Sequence, residues 1–171
     1  MPILDGWHWC PRCKGPLEKA RGAALCPACG FVMYANSAPT ASAVLVDDRG
    51  RVLLARRAGD PFRDLWDIPG GFLEEGEHPE DALRRELLEE TGLEVEPTAY
   101  LGVWMDQYGD GLGAPATLNL VWTARVVGGE ERPDDDVAEL AWFSRDELPP
   151  RDELAFATVA AVLDAWRQQN P

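Results

Sequence analysis

The chain has 171 residues, 46% of them hydrophobic and 27% charged. That balance fits one globular domain with at most a small appendage and excludes wholesale disorder. Thirty acidic residues against sixteen Lys and Arg set a formal net charge of −14, which argues against a non-specific grip on DNA and against docking on anionic membrane. It suits a protein that gathers divalent cations, and equally one with a merely solvated acidic surface. No apolar run approaches the roughly 18 residues of a membrane span. The opening Met1 to Gly6 lacks a basic segment followed by an apolar one, so the expected localisation is cytoplasmic, with no membrane partner. In that compartment cysteines persist as thiolates rather than disulfides.

Residues 1–37 hold Arg12, Lys14, Lys19 and Arg21 against Asp5 and Glu18, so the acidity belongs to the remainder. The shift places a boundary near Asn36 to Pro39 and divides the chain into units 1–37 and 38–171. Within the first unit, Cys10-Pro-Arg-Cys13 and Cys26-Pro-Ala-Cys29 are two CxxC pairs. Each pair curls into a tight turn, and two such turns make a tetrahedral four-sulfur cage suited to structural Zn²⁺. Gly15 and Gly30 fall where such knuckles need unusual backbone angles. Four thiolates leave no open coordination position, so the zinc is structural, and metal binding supplies much of the folding free energy of so small a unit. The module reads first as a structural cap or a dimer contact, and second as a nucleic-acid contact.

From residue 40 to 46 runs a short apolar segment, then the turn Asp47-Asp48-Arg49-Gly50, then a second segment from 51 to 57, together a predicted hairpin. Residues 58–69, with Gly59, Pro61 and Pro69, read as loop. A helix is predicted over 80–91, with Pro79 at its start and Gly92 at its end. Strands follow over 100–106 and, by period-two alternation, from Leu118 to Val126, with a glycine-rich loop over 107–116 between them. An acidic loop over 128–136 leads to a strand over 137–143. Ser144 and Glu147 have capping-box spacing, and 152–168 reads as a helix with Ala155, Val159, Val162, Leu163 and Trp166 on one stripe. Strands around two separated helices predict an α/β sandwich with a mixed sheet.

The helix over 80–91 carries the chemistry. Glu86, Glu89 and Glu90 are spaced i, i+3, i+4 and project from one face, where like charges weaken a bare helix. Hard divalent cations with oxygen ligands reverse that penalty. Glu77 can fold back toward the patch, Arg85 can hold a carboxylate through paired hydrogen bonds, and Gly70 and Gly71 permit close backbone approach. An isolated Glu-Leu-Leu-Glu-Glu string would read as a solvated helix face. Here it sits in a longer pattern: Gly71, five residues, Glu77, seven residues, then Arg85-Glu86-Leu87-Leu88-Glu89-Glu90-Thr91-Gly92-Leu93.

This pattern resembles the full box of the Nudix hydrolases. Trp66 to Gly71 is similar to that family's lead-in, and Trp142-Phe143 with Glu147-Leu148-Pro149 to its closing strand and turn. The cysteine module followed by Tyr34-Ala35-Asn36 resembles the zinc-ribbon branch, which includes NADH pyrophosphatases. The resemblance implies a Nudix-type α/β/α sandwich with a mixed sheet behind a small zinc ribbon. It also implies metal-assisted hydrolysis of a diphosphate linkage in a nucleoside diphosphate derivative. By box position, Glu86, Glu89 and Glu90 are implied Mg²⁺ (or Mn²⁺) ligands, joined by the carbonyl of Gly70, with Arg85 orienting Glu86 and Glu77 a water-mediated partner. Glu86 or Glu89 is the expected general base. Asp134, Asp135, Asp136 and Glu139 of the acidic loop are alternatives, and Asp136 is preferred among them as base or further ligand.

Arg56 or Arg57 is a candidate for holding substrate phosphate, against the alternative of a surface salt bridge. Trp66, Trp104 and Tyr108 could stack on a base, although aromatics at strand positions usually belong to the core. His78 reads as a loop residue. The Ser-Gln-Pro-Trp stretch of NADH pyrophosphatases is absent: the corresponding region runs from Tyr100 to Tyr108. The small-molecule nucleotide substrates implied are therefore ADP-ribose and nucleoside diphosphate sugars first, then dinucleotides, then oxidised nucleoside triphosphates. A nucleotide-sensing Nudix domain, with the ribbon on nucleic acid or a protein partner, is the competing reading, weakened by the full set of carboxylates. Nucleic acid is the less expected partner at this net charge, and a homodimer is open.

Overall fold

The computed structural model describes residues 2–109, 111 and 114–169. Residues 110, 112 and 113 of the expected 107–116 loop, and residues 1, 170 and 171 of the two expected units, lie outside them. A single turn of helix, α1 (Pro2–Asp5), precedes three short strands, β1 (Glu18–Ala20), β2 (Ala23–Leu25) and β3 (Val32–Tyr34), which form an antiparallel sheet in that order. This is the cysteine-bearing unit.

The rest is an α/β sandwich. One sheet has the order β7-β4-β9-β8, from β4 (Ala38–Leu45), β7 (Gly70–Phe72), β8 (Leu93–Gln107) and β9 (Ala116–Gly129). It is mixed: β4 runs parallel to β9 and antiparallel to β7. The second sheet, order β10-β5-β6, is antiparallel and contains β5 (Val52–Arg57), β6 (Trp66–Asp67) and β10 (Val137–Phe143). Helix α2 (Pro79–Thr91) covers one side and α3 (Ala157–Gln169) the other.

Alternation along the strands divides the core. Ala41, Ala43 and Leu45 of β4 and Leu53 of β5 meet Ala82, Leu83 and Leu87 of α2. Val44, Val52 and Leu54 face the opposite way, toward Val159, Val162, Leu163 and Trp166 of α3. Successive strand residues point to opposite faces, and here both faces are covered, so these strands read as near-continuous apolar runs.

The expected hairpin over 40–57 is not formed. Its turn is, with Asp47 accepting from the backbone N–H groups of Arg49 and Arg51 and from the Arg51 guanidinium. Beyond a single bridge between Val46 and Val52 the two strands part into different sheets. Each is buried on both faces and finds its own neighbours on both edges: β7 and β9 flank β4, while β6 and β10 flank β5. The predicted loop over 58–69 also hides β6, too short to carry a periodic signal.

The last helix begins later than expected. A 3₁₀ turn (Arg151–Glu153) is followed by extended residues, because Leu154 bridges Trp66 and the Ala155 N–H donates to the Trp66 carbonyl at 2.8 Å. Ala155 is buried outside the helix, while the other four residues of the stripe are buried within α3. Strand β8 starts at Leu93 rather than near residue 100 and carries register shifts around Pro97, which an edge strand tolerates.

Candidate active site

Local signals fix where α2 starts and stops. His78 is the N-cap, its Nδ1 accepting from the Glu80 N–H at 3.3 Å, with Pro79 in the first turn. Gly92 adopts a left-handed φ of 70° and donates to the Leu88 carbonyl at 2.9 Å, closing the helix. The capping role of His78 is a local one that its sequence reading as a loop residue omitted. Leu83, Leu87 and Thr91 are buried, which turns Glu86 and Glu90 toward the Gly70-Gly71 segment of β7. The Glu90 carboxylate accepts from the Gly70 N–H at 2.8 Å. A Cβ at Gly71 would overlap the Glu86 carboxylate, and one at Gly70 (φ 141°) would overlap the Ala41 carbonyl. Gly71 is therefore what lets α2 approach β7, and Gly70 what lets β7 approach β4.

Arg85 is the hub. A guanidinium has five N–H donors, and all are committed. Nε and Nη2 take the two oxygens of Glu77 at 2.9 and 2.8 Å, Nη1 takes Glu86 at 2.7 Å and Glu89 at 3.3 Å, and Nη2 also donates to the Phe72 carbonyl at 3.1 Å. Hydrogen bonds from Arg85 hold the Glu77 carboxyl down to about 2. Burial pushes Glu86 up against the opposing pull of Arg85, with the charges of Glu89 and Glu77 adding to the rise. Glu90 is raised well above the ordinary range, first by burial and then by Asp136, Asp67 and Glu86, with the Gly70 N–H opposing. A half-buried carboxyl among other carboxyls is a site that a cation would stabilise.

The acidic loop after β9 is more than a solvated tail. Its backbone N–H groups at Glu130, Arg132 and Asp134 donate to the carbonyls of Gly92, Thr91 and Glu90, satisfying the C-terminal end of α2. The Asp136 carbonyl in turn accepts from the Ala58 N–H at 2.7 Å. Docked this way, Asp136 enters a small pocket with Arg57, Asp67, Gly70 and Glu90. Asp134 pairs with Arg132 at 3.6 Å and Glu139 with Arg56 at 3.3 Å instead. Asp67 was not among the residues singled out from the sequence. Its only signal was an acid between Trp66 and Ile68 in an otherwise apolar stretch. Burial raises it to about 6, with Asp136 adding and Arg57 opposing.

Alternation along β5 separates the two arginines. Arg56 points outward to the Asp64 carbonyl and Glu139. Arg57 points inward, donating to the Pro61 carbonyl at 2.8 Å, Asp67 at 3.2 Å and the Tyr108 hydroxyl at 3.0 Å. It lines a second, larger cleft of about 620 Å³, open to solvent, whose walls carry Phe72, Tyr108 and Phe156. Tyr108 stacks on Phe156 (5.9 Å, 24°) and meets Phe72 edge-on (5.3 Å, 70°). Across the floor Thr40 donates to Asn119 at 2.7 Å and Asn119 to Thr117 at 3.2 Å. Of the three aromatics considered from the sequence, Tyr108 alone lines this cleft; Trp66 packs on Phe143 and Trp104 against the core. Phe72 and Phe156 carry no pattern that marks them as cleft residues.

The cysteines form a separate centre. Their four sulfurs lie within 4.8 Å of one another, with Cys10 to Cys29 at 3.6 Å and Cys13 to Cys26 at 3.5 Å. The two knuckles match: the Lys14 and Gly30 N–H groups donate to the Cys10 and Cys26 carbonyls, both at 2.9 Å. The left-handed residues are Lys14 (φ 62°) and Gly30 (φ 73°). Gly15, expected to take the unusual angle, instead supplies space, since a Cβ there would stand 3.4 Å from the Cys13 sulfur. Among the described residues, this is the one group of potential ligands gathered so closely. Among the same residues, no helix is long and apolar enough to cross a membrane.

The α/β sandwich with its box-bearing helix defines a domain of the Nudix class, and comparison with known proteins agrees. The NUDIX domain profile matches residues 36–163. An ADP-ribose pyrophosphatase of Methanocaldococcus jannaschii is 33% identical over 140 residues, which is 82% of this chain and 79% of that protein. The NAD-capped RNA hydrolase NudC of Stutzerimonas stutzeri is 31% identical over 145 residues, 83% of this chain and 50% of that protein. The chain thus spans only half the length of this second relative. A Nudix hydrolase from Nitrosomonas europaea superimposes with a TM-score of 0.77 at 24% identity, covering 94% of this chain and 90% of that one. This chain belongs to the Nudix family of hydrolases.

Proposed function

We propose that this protein is a divalent-metal-dependent pyrophosphatase that cuts the diphosphate bridge of a nucleoside diphosphate derivative. ADP-ribose-like compounds come first as substrates and dinucleotides second. The observation that carries this reading is the arrangement around Arg85. One guanidinium orients Glu77, Glu86 and Glu89 beside a half-buried Glu90, next to an aromatic-lined cleft. The matching relatives, named for ADP-ribose and for NAD-capped RNA, support the substrate class.

In this reading Glu86, Glu89, Glu90 and the Gly70 carbonyl hold Mg²⁺ or Mn²⁺, with Asp136 as a further ligand. When bound, the metal would neutralise phosphate charge and lower the cost of attack by water. Glu77, committed to Arg85, acts on that site through the arginine. Glu86 or Glu89 takes the proton of the attacking water, with Asp136 as the alternative. Arg57 faces the substrate phosphate, and Tyr108 and Phe156 receive the planar base. Residues 1–37 form a zinc ribbon whose Cys10, Cys13, Cys26 and Cys29 hold structural Zn²⁺, and residues 38–171 form the hydrolase domain. The distances between the four sulfurs fit that ion's tetrahedral preference for thiolates.

The test is a magnesium-dependent hydrolysis screen over ADP-ribose, nucleoside diphosphate sugars, NADH and nucleoside triphosphates in ¹⁸O-labelled water. Turnover with label in a phosphate product is expected. Binding of a nucleotide without turnover on any compound of the panel would point to a sensor instead.

A further inference from the structure

Two cavities meet at one wall. Arg57 and Asp67 are the charged side chains, among the described residues, that line both the aromatic cleft and the small acidic pocket. They lie on adjacent strands, β5 and β6, where Asp67 pairs with Ala55, two residues from Arg57 and on the same face. Asp67 commits both oxygens to that wall: Oδ1 accepts from the Ile68 N–H at 2.8 Å and Oδ2 from Arg57 at 3.2 Å. Arg57 is tethered on the cleft side by three acceptors, Asp67, the Pro61 carbonyl and the Tyr108 hydroxyl. With five donors on a guanidinium, one N–H on each terminal nitrogen is left for an incoming oxygen.

Other carboxylates compete for that guanidinium. Asp136 and Glu90 line the pocket behind it, and the Asp136 carbonyl accepts from the N–H of Ala58, the residue just after β5. The charge of Asp136 already acts on both Arg57 and Asp67. An arginine released from Asp67 would settle on Asp136 or Glu90, because they line the same pocket and a largely enclosed guanidinium without a counter-charge is costly. Its cation would then occupy the place a metal needs.

We propose that Asp67 is a positioning residue that holds Arg57 at the junction of the two cavities, facing the substrate phosphate and kept out of the Glu90–Asp136 pocket, so that this pocket stays open to a divalent cation. The inference rests on the reading that these carboxylates bind metal, and it adds a reason why a pocket of acids beside an arginine is not self-neutralised.

The experiment titrates Mn²⁺ into the full chain without nucleotide, following free Mn²⁺ by electron paramagnetic resonance. Wild type, Asp67→Asn, Arg57→Met and the double variant are compared, with thermal melts to confirm folding. Asp67→Asn is expected to weaken Mn²⁺ binding roughly 10-fold, and adding Arg57→Met to restore it to within about 3-fold of wild type. Tyr108→Phe, which removes another tether of Arg57 while leaving the Arg57–Asp67 ion pair in place, is expected to weaken Mn²⁺ binding about 2-fold. It keeps the test available if the asparagine variant does not fold. Unchanged Mn²⁺ binding in Asp67→Asn, or, should that variant not fold, in Tyr108→Phe, overturns the proposal. So does a double variant as weak as Asp67→Asn, which would make Asp67 itself a ligand. Absence of Mn²⁺ binding by the wild type fails the metal reading itself, and the proposal with it.

Discussion

The cysteine unit and the carboxylate helix both gather cation ligands, by opposite means. In the first, short knuckles and a three-stranded sheet already bring four sulfurs within 4.8 Å. In the second, the acids are spread around an arginine that holds Glu77, Glu86 and Glu89 by its own N–H groups. Under the proposed function, the difference follows from what each centre would be for. A cage that supplies folding energy gains from being closed. A site that must admit a phosphate and water needs carboxylates held by other protein groups, so that they do not collapse or repel before the substrate arrives.

That contrast can be broken most sharply at Glu89. Glu89→Gln keeps shape and removes charge, and is expected to lower kcat with magnesium by about 100-fold, near 2.7 kcal/mol, with the melting temperature unchanged. Near-normal turnover would remove Glu89 from the chemistry and leave Arg85 holding a bystander. Arg85→Lys comes next. Lysine cannot reproduce the paired contact with Glu77 or span to Glu86 and Glu89, and steady-state kinetics should show a loss of roughly 10-fold.

Cys26→Ser tests the other centre. Zinc content by mass spectrometry should fall from one equivalent to none and the ribbon should become sensitive to proteolysis, while turnover by residues 38–171 should change by less than about 3-fold. A large loss of turnover would show that the two centres are not independent.

The smallest effect concerns pH. Asp67 has its folded value raised to about 6 from an ordinary 3.8, so its contribution to stability is fully present below 3.8 and is lost as pH rises through about 6. Glu77 runs the other way: its contribution is present above its ordinary 4.5 and is lost as pH falls through about 2. Melting curves of wild type and Asp67→Asn in magnesium-free buffer should therefore diverge as pH rises from 4 to 7. Parallel curves would mean that Asp67 titrates normally.

Much of the site was legible in order along the chain. The box from Gly71 to Leu93 is one continuous stretch, and its helix, the Gly92 stop and the carboxylate face follow from spacing and from Pro79 and Gly92, although the N-cap His78 did not. The CxxC pairs are equally local. What was not legible came from residues far apart in the chain. Arg57 and Arg56 are indistinguishable neighbours until β5 is given partners on both edges. Asp67 and Phe156 join the site through pairing of β6 and docking of α3. The hairpin expected over 40–57 failed for the same reason: a good turn says nothing about which edge each strand will prefer once both are buried.

The amino-acid order alone determined the helix that presents Glu86, Glu89 and Glu90, the two cysteine knuckles, and through the box the family. Those features depend on spacing within one element, which periodicity and capping fix locally. Which arginine faces the cleft, which aromatics line it, and how Asp136 meets Glu90 and Asp67 were decided by the tertiary structure. Each depends on pairing between strands or on loop docking, where the choice belongs to the packed molecule and not to any single segment.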